Sequence, residues 1–189
     1  MFRCFHIILI VFFPLILSAS TVQPVKSERV STQQGYSVLK IFLEDEQYLT
    51  AIRYFKTVIS FSATRQPVAD LVDDIADISE YSLEQLEELA EEKPEIHFNQ
   101  LEENSVAVST LDSLRYTTAR RFIDDTANFE KNILLSQVQI LPVIAHLAQT
   151  LQENETNLKR KYWLHKLSLK FTVLYRRAYA QLYITQPAS

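Results

Sequence analysis

The sequence predicts an all-α fold, an antiparallel four-helix bundle, on three observations. The chain has a single glycine, Gly35, in 189 residues, whereas hairpins, tight turns and phosphate-cradling loops draw on several. Apolar residues recur at spacings of three and four in long stretches, the period of helices that bury one face. Beyond Cys4 there is no cysteine, so no disulfide is available and a hydrophobic core must hold the fold, which a chain of this size can supply.

Residues 1–20 read as a signal peptide. Arg3 supplies the positive start, Ile7 to Leu17 the short apolar run, and Ser18-Ala19-Ser20 the small residues before a cut at Thr21. A run broken by Pro14 covers only about half of the roughly 20 residues that span a bilayer core. Cys4 lies outside any lipidation context and leaves with the signal. The expectation is an exported protein, periplasmic or secreted. Removing Arg3 from 19 basic residues leaves 18 against 23 acidic, a net charge near −5 that selects no partner class.

Residues 21–36 are polar, with Pro24, Ser27 and Ser31, and read as a flexible leader ending at Gly35. A helical-bundle domain then fills 37–185. Its first helix, about 37–64, carries Val38, Ile41, Phe42, Tyr48, Leu49, Ile52, Phe55, Val58 and Ile59 in one stripe, with Asp45 in the same stripe. The second starts at Pro67, which fits a first turn because its missing N–H costs nothing there; Asp70, Asp73 and Asp74 follow near the positive end of the dipole. Val68, Leu71, Val72, Ile75, Ile78, Leu86 and Leu89 form its buried stripe. Pro94 ends it, and 95–104 is a loop.

A third period runs from Ser105 through Val108, Leu111, Leu114, Phe122, Phe129, Ile133, Ile140, Ile144 and Leu147 to Leu151. Pro142 removes a backbone hydrogen bond inside it, so a kink or break is expected near 138–142. The last helix runs from about Asn157 to Tyr183, with Leu158, Tyr162, Leu169 and Val173 along one side. Four such helices with short connections make an antiparallel bundle most simply.

Phe42-Leu43 in the first helix, Val68-x-x-Leu71-Val72-x-x-Ile75-Ala76 with Leu86-x-x-Leu89-Ala90 in the second, and Leu111-x-x-Leu114 leading to Phe122 in the third resemble a ferritin-like family of secreted bacterial proteins of unknown function, often described as outer-membrane proteins. The resemblance implies a ferritin-like bundle. That family tends to carry histidines in the second and third helices, where this chain has Ser79 and Leu134. No Glu-x-x-His spacing occurs either, so the resemblance implies a version without the metal site.

No catalytic residue, metal ligand or cofactor is assigned. The acidic stretch Asp70 to Asp77 lacks the central glycine of an EF-hand, and no Gly-rich nucleotide loop exists. His6 leaves with the signal and His97 falls in a loop; His146 and His165 lie on separate helices near apolar neighbours, where a histidine is ordinarily not a ligand. No Gly-x-Ser-x-Gly elbow is present. Adjacent acids such as Asp73-Asp74 and Glu87-Glu88 point about 100° apart on a helix and read as a solvated face.

Charge segregation is the remaining signal. Pro67 to Glu92 holds ten acids and no base, whereas Asn157 to Tyr183 holds seven bases, Lys159, Arg160, Lys161, Lys166, Lys170, Arg176 and Arg177, and no acid. One explanation is attraction between these two helices, although in a plain up-down-up-down bundle they are diagonal. The other is a basic docking surface, interleaved with Tyr162, Trp163, Tyr175, Tyr179 and Tyr183, for an anionic membrane, an envelope polymer or another protein. Export and the acidic balance argue against nucleic acid. The functional expectation is an exported, non-enzymatic binding protein; the alternatives are a ferritin-like metalloprotein or oxidase and, given the sequon Asn154-Glu155-Thr156, a secreted exchangeable lipid-binding bundle.

Overall fold

The computed structural model describes residues 25–60, 63–98 and 106–184; the signal peptide expected over residues 1–20 lies outside them. Among the described residues the protein is all-helical: α1 Val25–Glu46, α2 Leu49–Ser60, α3 Gln66–Ala90, α4 Val106–Asp124, a single 3₁₀ turn Thr126–Asn128, α5 Phe129–Asn154 and α6 Leu158–Ile184. α5 packs along α6, α6 on α3, α3 on α1, and α1 back on α5. These contacts close around a core led by Leu39, Leu71, Ile75, Ile133, Leu141, Leu164 and Phe171. By length and composition Thr126–Asn154 is apolar enough to cross a membrane. Here it is the central helix, touching α1, α4 and α6.

Residues 25–36, expected as a leader, belong to α1. Among its described side chains Tyr36, Leu39, Leu43 and Glu46, spaced three and four apart, form a buried stripe with Ser37 beside it, rotated from the stripe read in the sequence. Gly35 sits inside the helix because the chain is crowded there: a Cβ would stand 2.8 Å from Leu151 Cδ2. The helix expected over 37–64 is interrupted at Gln47–Tyr48, where the Tyr48 N–H bonds to the Asp45 carbonyl three residues back. After that turn Tyr48, Phe55 and Val58 are exposed instead of entering the core.

α3 follows its sequence signals closely. Pro67 lies in its first turn and the Arg65 carbonyl accepts from the Val68 and Ala69 N–H groups. Ser79 and Ser82 continue the buried stripe, small enough to let the neighbouring helices close in. The long third helix divides, but at Asp125–Asn128 and not at Pro142. Asp125 accepts the Asn128 N–H and the Asn132 amide, starting a new helix. α5 then runs unbroken through Pro142.

α6 begins where Asn157 Oδ1 accepts the N–H groups of Lys159 and Arg160. It buries Leu164, Leu167, Phe171, Leu174, Ala178 and Leu182. Leu158, Tyr162, Leu169 and Val173, expected along the packed side, are exposed. The helix has apolar residues on two faces, and the core took the other one.

Candidate functional site

α4 is the least embedded helix. Among its described side chains only Phe122 is buried, held edge-on against Phe129 with ring centroids 5.8 Å apart. Its other anchor is an ion pair between Arg115 and Asp45 at 2.8 Å, with Asp112 3.5 Å from the same guanidinium. The helix therefore lies across α1, α2 and α5 without filling the space beneath it. A cavity of about 470 Å³ remains, walled by Phe42, Leu49, Ile52, Leu111, Phe122 and Ile140 among others. A second, about 380 Å³, adjoins it through shared Tyr48, Ile52, Ala119 and Phe122 and extends to Phe55 and Phe129. The aromatic residues missing from the core thus line a cleft.

Two polar side chains sit in the wall of the larger cavity and are enclosed. Glu46, the last residue of α1, is 7 % exposed and Gln137 of α5 is 2 % exposed. Glu46 Oε2 and Gln137 Oε1 make no hydrogen bond with another protein group. Burial pushes the Glu46 carboxyl up to about 8; the Gln137 amide pulls it down and the neighbouring Asp45 charge adds to the rise. The sequence stripe singled out Asp45, one residue away. The helix phase instead turns Asp45 to Arg115 and Glu46 inward.

Midway along α1, at Tyr36, lies a second enclosed polar cluster. Tyr36 and Arg160 both bond to Glu155, and Arg160 Nη1 donates to the carbonyls of Leu89 and Glu92. Burial pushes the Tyr36 hydroxyl up, as does its bond to Glu155. Burial also pushes Glu155 up, but the hydrogen bonds from Arg160 and Tyr36 outweigh it and hold the carboxyl below its usual range. Every hydrogen-bonding atom faces a partner, so this cluster ties α1, α3 and α6 together and leaves nothing to a ligand.

The expected basic surface is therefore incomplete. Arg160 is interior, 1 % exposed, and Lys159 is paired with Glu92. Arg177 is paired with Asp74 at 2.6 Å, and Lys170 lies 5.2 Å over the Tyr81 ring. α3 and α6 are in contact, not diagonal, so opposite charge on the two helices meets directly. Lys161 is half-buried, while Lys166 and Arg176 are exposed, Lys166 stacked 4.3 Å over Tyr162. Trp163, counted among the interleaved aromatics, turns inward and donates to Gln85.

His146 and His165 are both exposed, and among the described residues no three His, Cys, Asp or Glu side chains stand close enough to hold a metal ion. Asn154 of the sequon is exposed at the end of α5, its amide donating to the Thr150 carbonyl. No protein-family model, no curated protein and no solved structure matches this chain.

Proposed function

We propose that this is an exported, non-enzymatic four-helix-bundle protein that works by binding an apolar small molecule in the cleft beneath α4. Support for the bundle comes from the direction of the contacts. Tyr36 meets Glu155 while Glu46 lies beside Gln137, which sets α1 antiparallel to α5. Lys159 meets Glu92 while Arg177 meets Asp74, which sets α6 antiparallel to α3. α4 is then an addition laid over one corner of the ring.

The observation that carries the binding reading is the pair of adjoining cavities, about 470 and 380 Å³, whose walls combine an apolar surface from Phe42, Leu49, Ile52, Phe55 and Phe122 with a few polar side chains. Their size is that of ordinary small-molecule sites, roughly 300–1,000 Å³. Titration with the neutral dye Nile red tests it. Saturable binding that is lost on Ala119→Trp, which places a large side chain into both cavities, is expected. Unchanged dye binding by that variant would place the site elsewhere.

A second reading is favoured by the outer face of α6, where Lys166, Lys170 and Arg176 stand among exposed Tyr162, Leu169, Val173 and Tyr183. Such a face suits an anionic membrane leaflet or envelope polymer. Co-sedimentation with phosphatidylglycerol vesicles at low salt, lost on Lys166→Gln with Lys170→Gln and at about 0.15 M salt as screening shortens to roughly 8 Å, is the expected behaviour. The ferritin-like metalloprotein reading has only the resemblance behind it.

A further inference from the structure

Glu46 and Gln137 present the cleft with an unusual demand. Both are enclosed, both line the larger cavity, and once Glu46 is ionised the free buried atom of each, Glu46 Oε2 and Gln137 Oε1, is an acceptor. A carboxylate or phosphate head brings only further acceptors, and a hydroxyl brings one donor together with lone pairs. A primary ammonium brings three N–H donors and no acceptor. The charges nearest the pair agree with this choice. On α1 Asp45 is adjacent; on α4 Arg115 is shared between Asp45 and Asp112 and so offers no free positive charge to an anion. From α5 the residues lining the larger cavity, Ser136, Gln137, Gln139 and Ile140, are all uncharged, and on α2 Lys56 lines the second cavity, 5.4 Å over the Phe129 ring. Apart from the hydroxyls of Tyr48, Thr118 and Thr126, the rest of the wall is apolar.

We propose that the cleft selects a primary amine carried on an apolar body, its ammonium held by Glu46 and Gln137 and its body lying along Ile52 and Phe122. This rests on the cleft being a binding site and adds the chemical class of the ligand. With its carboxyl titrating at about 8, Glu46 holds a proton at neutral pH. An arriving ammonium meets an ionised carboxylate only if that proton leaves, so the cation replaces the proton and binding releases up to one proton to solvent.

The test is calorimetric titration of the full chain with octylamine, octanol and octanoate at neutral pH, on the parent and on Glu46→Gln, which is nearly isosteric. Octylamine should bind at least tenfold more tightly than octanol to the parent, and that advantage should shrink to about twofold in the variant. Repeating the octylamine titration in phosphate and in Tris should show proton release near one for the parent. Should Glu46→Gln fail to fold, this proton release and Gln137→Leu carry the same comparison. Equal binding of octylamine and octanol, or tighter binding of octanoate, overturns the amine inference while leaving the cleft as a site. Binding of none of the three overturns the cleft reading itself.

Discussion

Tyr36 donates a hydrogen bond to Glu155 Oε2 across 119 residues of sequence, and Arg160 grips the same carboxylate at 2.8 Å. The three side chains stand apart from the α4 cleft and line neither of its cavities. A buried pair of opposite charges is not itself a large source of stability, but removing one member leaves the other uncompensated. Glu155→Ala should therefore cost about 3–5 kcal/mol, and Tyr36→Phe, which leaves one carboxylate lone pair unmet, about 1–3 kcal/mol. Urea unfolding monitored by circular dichroism measures both. A cost for Glu155→Ala smaller than for Tyr36→Phe would show that Arg160 finds another partner.

The two enclosed glutamates give stability opposite dependences on pH. Glu155 is held below its usual range, so its contribution is present above the unfolded-state value and is lost as pH falls through the folded one. Glu46 binds its proton more tightly when folded. Its contribution is complete below the ordinary value of 4.5 and is lost as pH rises towards about 8. Glu46→Gln should thus gain on the parent between those limits, by up to about 1.4 kcal/mol per pH unit. Urea midpoints of the two proteins from pH 5 to pH 8 check this, and parallel curves would mean that Glu46 stays hydrated.

Gly35 offers a packing test. Alanine removes the entropic penalty of a helical glycine, roughly 0.5–1 kcal/mol, but its Cβ would press within 2.8 Å of the Leu151 methyl. Because that methyl ends a side chain that can turn, Gly35→Ala should be nearly neutral. Gly35→Val should lose about 1–3 kcal/mol through overpacking. Thermal melts of both variants compare them directly, and a stable valine variant would contradict the close approach of α1 and α5.

Hydrogen exchange should rank the helices. α4 buries one described side chain, whereas α5 and α6 bury long stripes against each other. Local opening follows sparse burial, so the amides of α4 should exchange well before those of α5 and α6, and a bound ligand should slow them. Equal protection of α4 and α5 in the ligand-free protein would show that α4 is docked more firmly than its contacts imply.

The sequence marked some features plainly and concealed others for identifiable reasons. Pro67, Pro94 and Asn157 are local signals, and α3 and the start of α6 follow them. The break at Asp125–Asn128 also carried a capping signal, but the apolar period on either side ran on and Pro142 drew the expectation away. The face of α6 was ambiguous because Tyr162, Leu169 and Val173 keep the helical period as well as Leu164, Leu167 and Phe171 do. Tyr36 and Arg160 became interior only through Glu155, a partner that neither helix specifies alone. The cleft was least legible: it arises because α4 separates from α5 and packs with few apolar residues, a tertiary fact with no local motif.

An amide-resolved NMR titration with octanol and octylamine bears most directly on binding in the cleft. Saturable shifts are expected at residues around the two cavities, among them Phe42, Ile52, Leu111 and Phe122, with a single ligand bound per chain and both effects lost in Ala119→Trp. Shifts that never saturate, or that gather on the exposed face of α6 around Tyr162 and Val173, would contradict it.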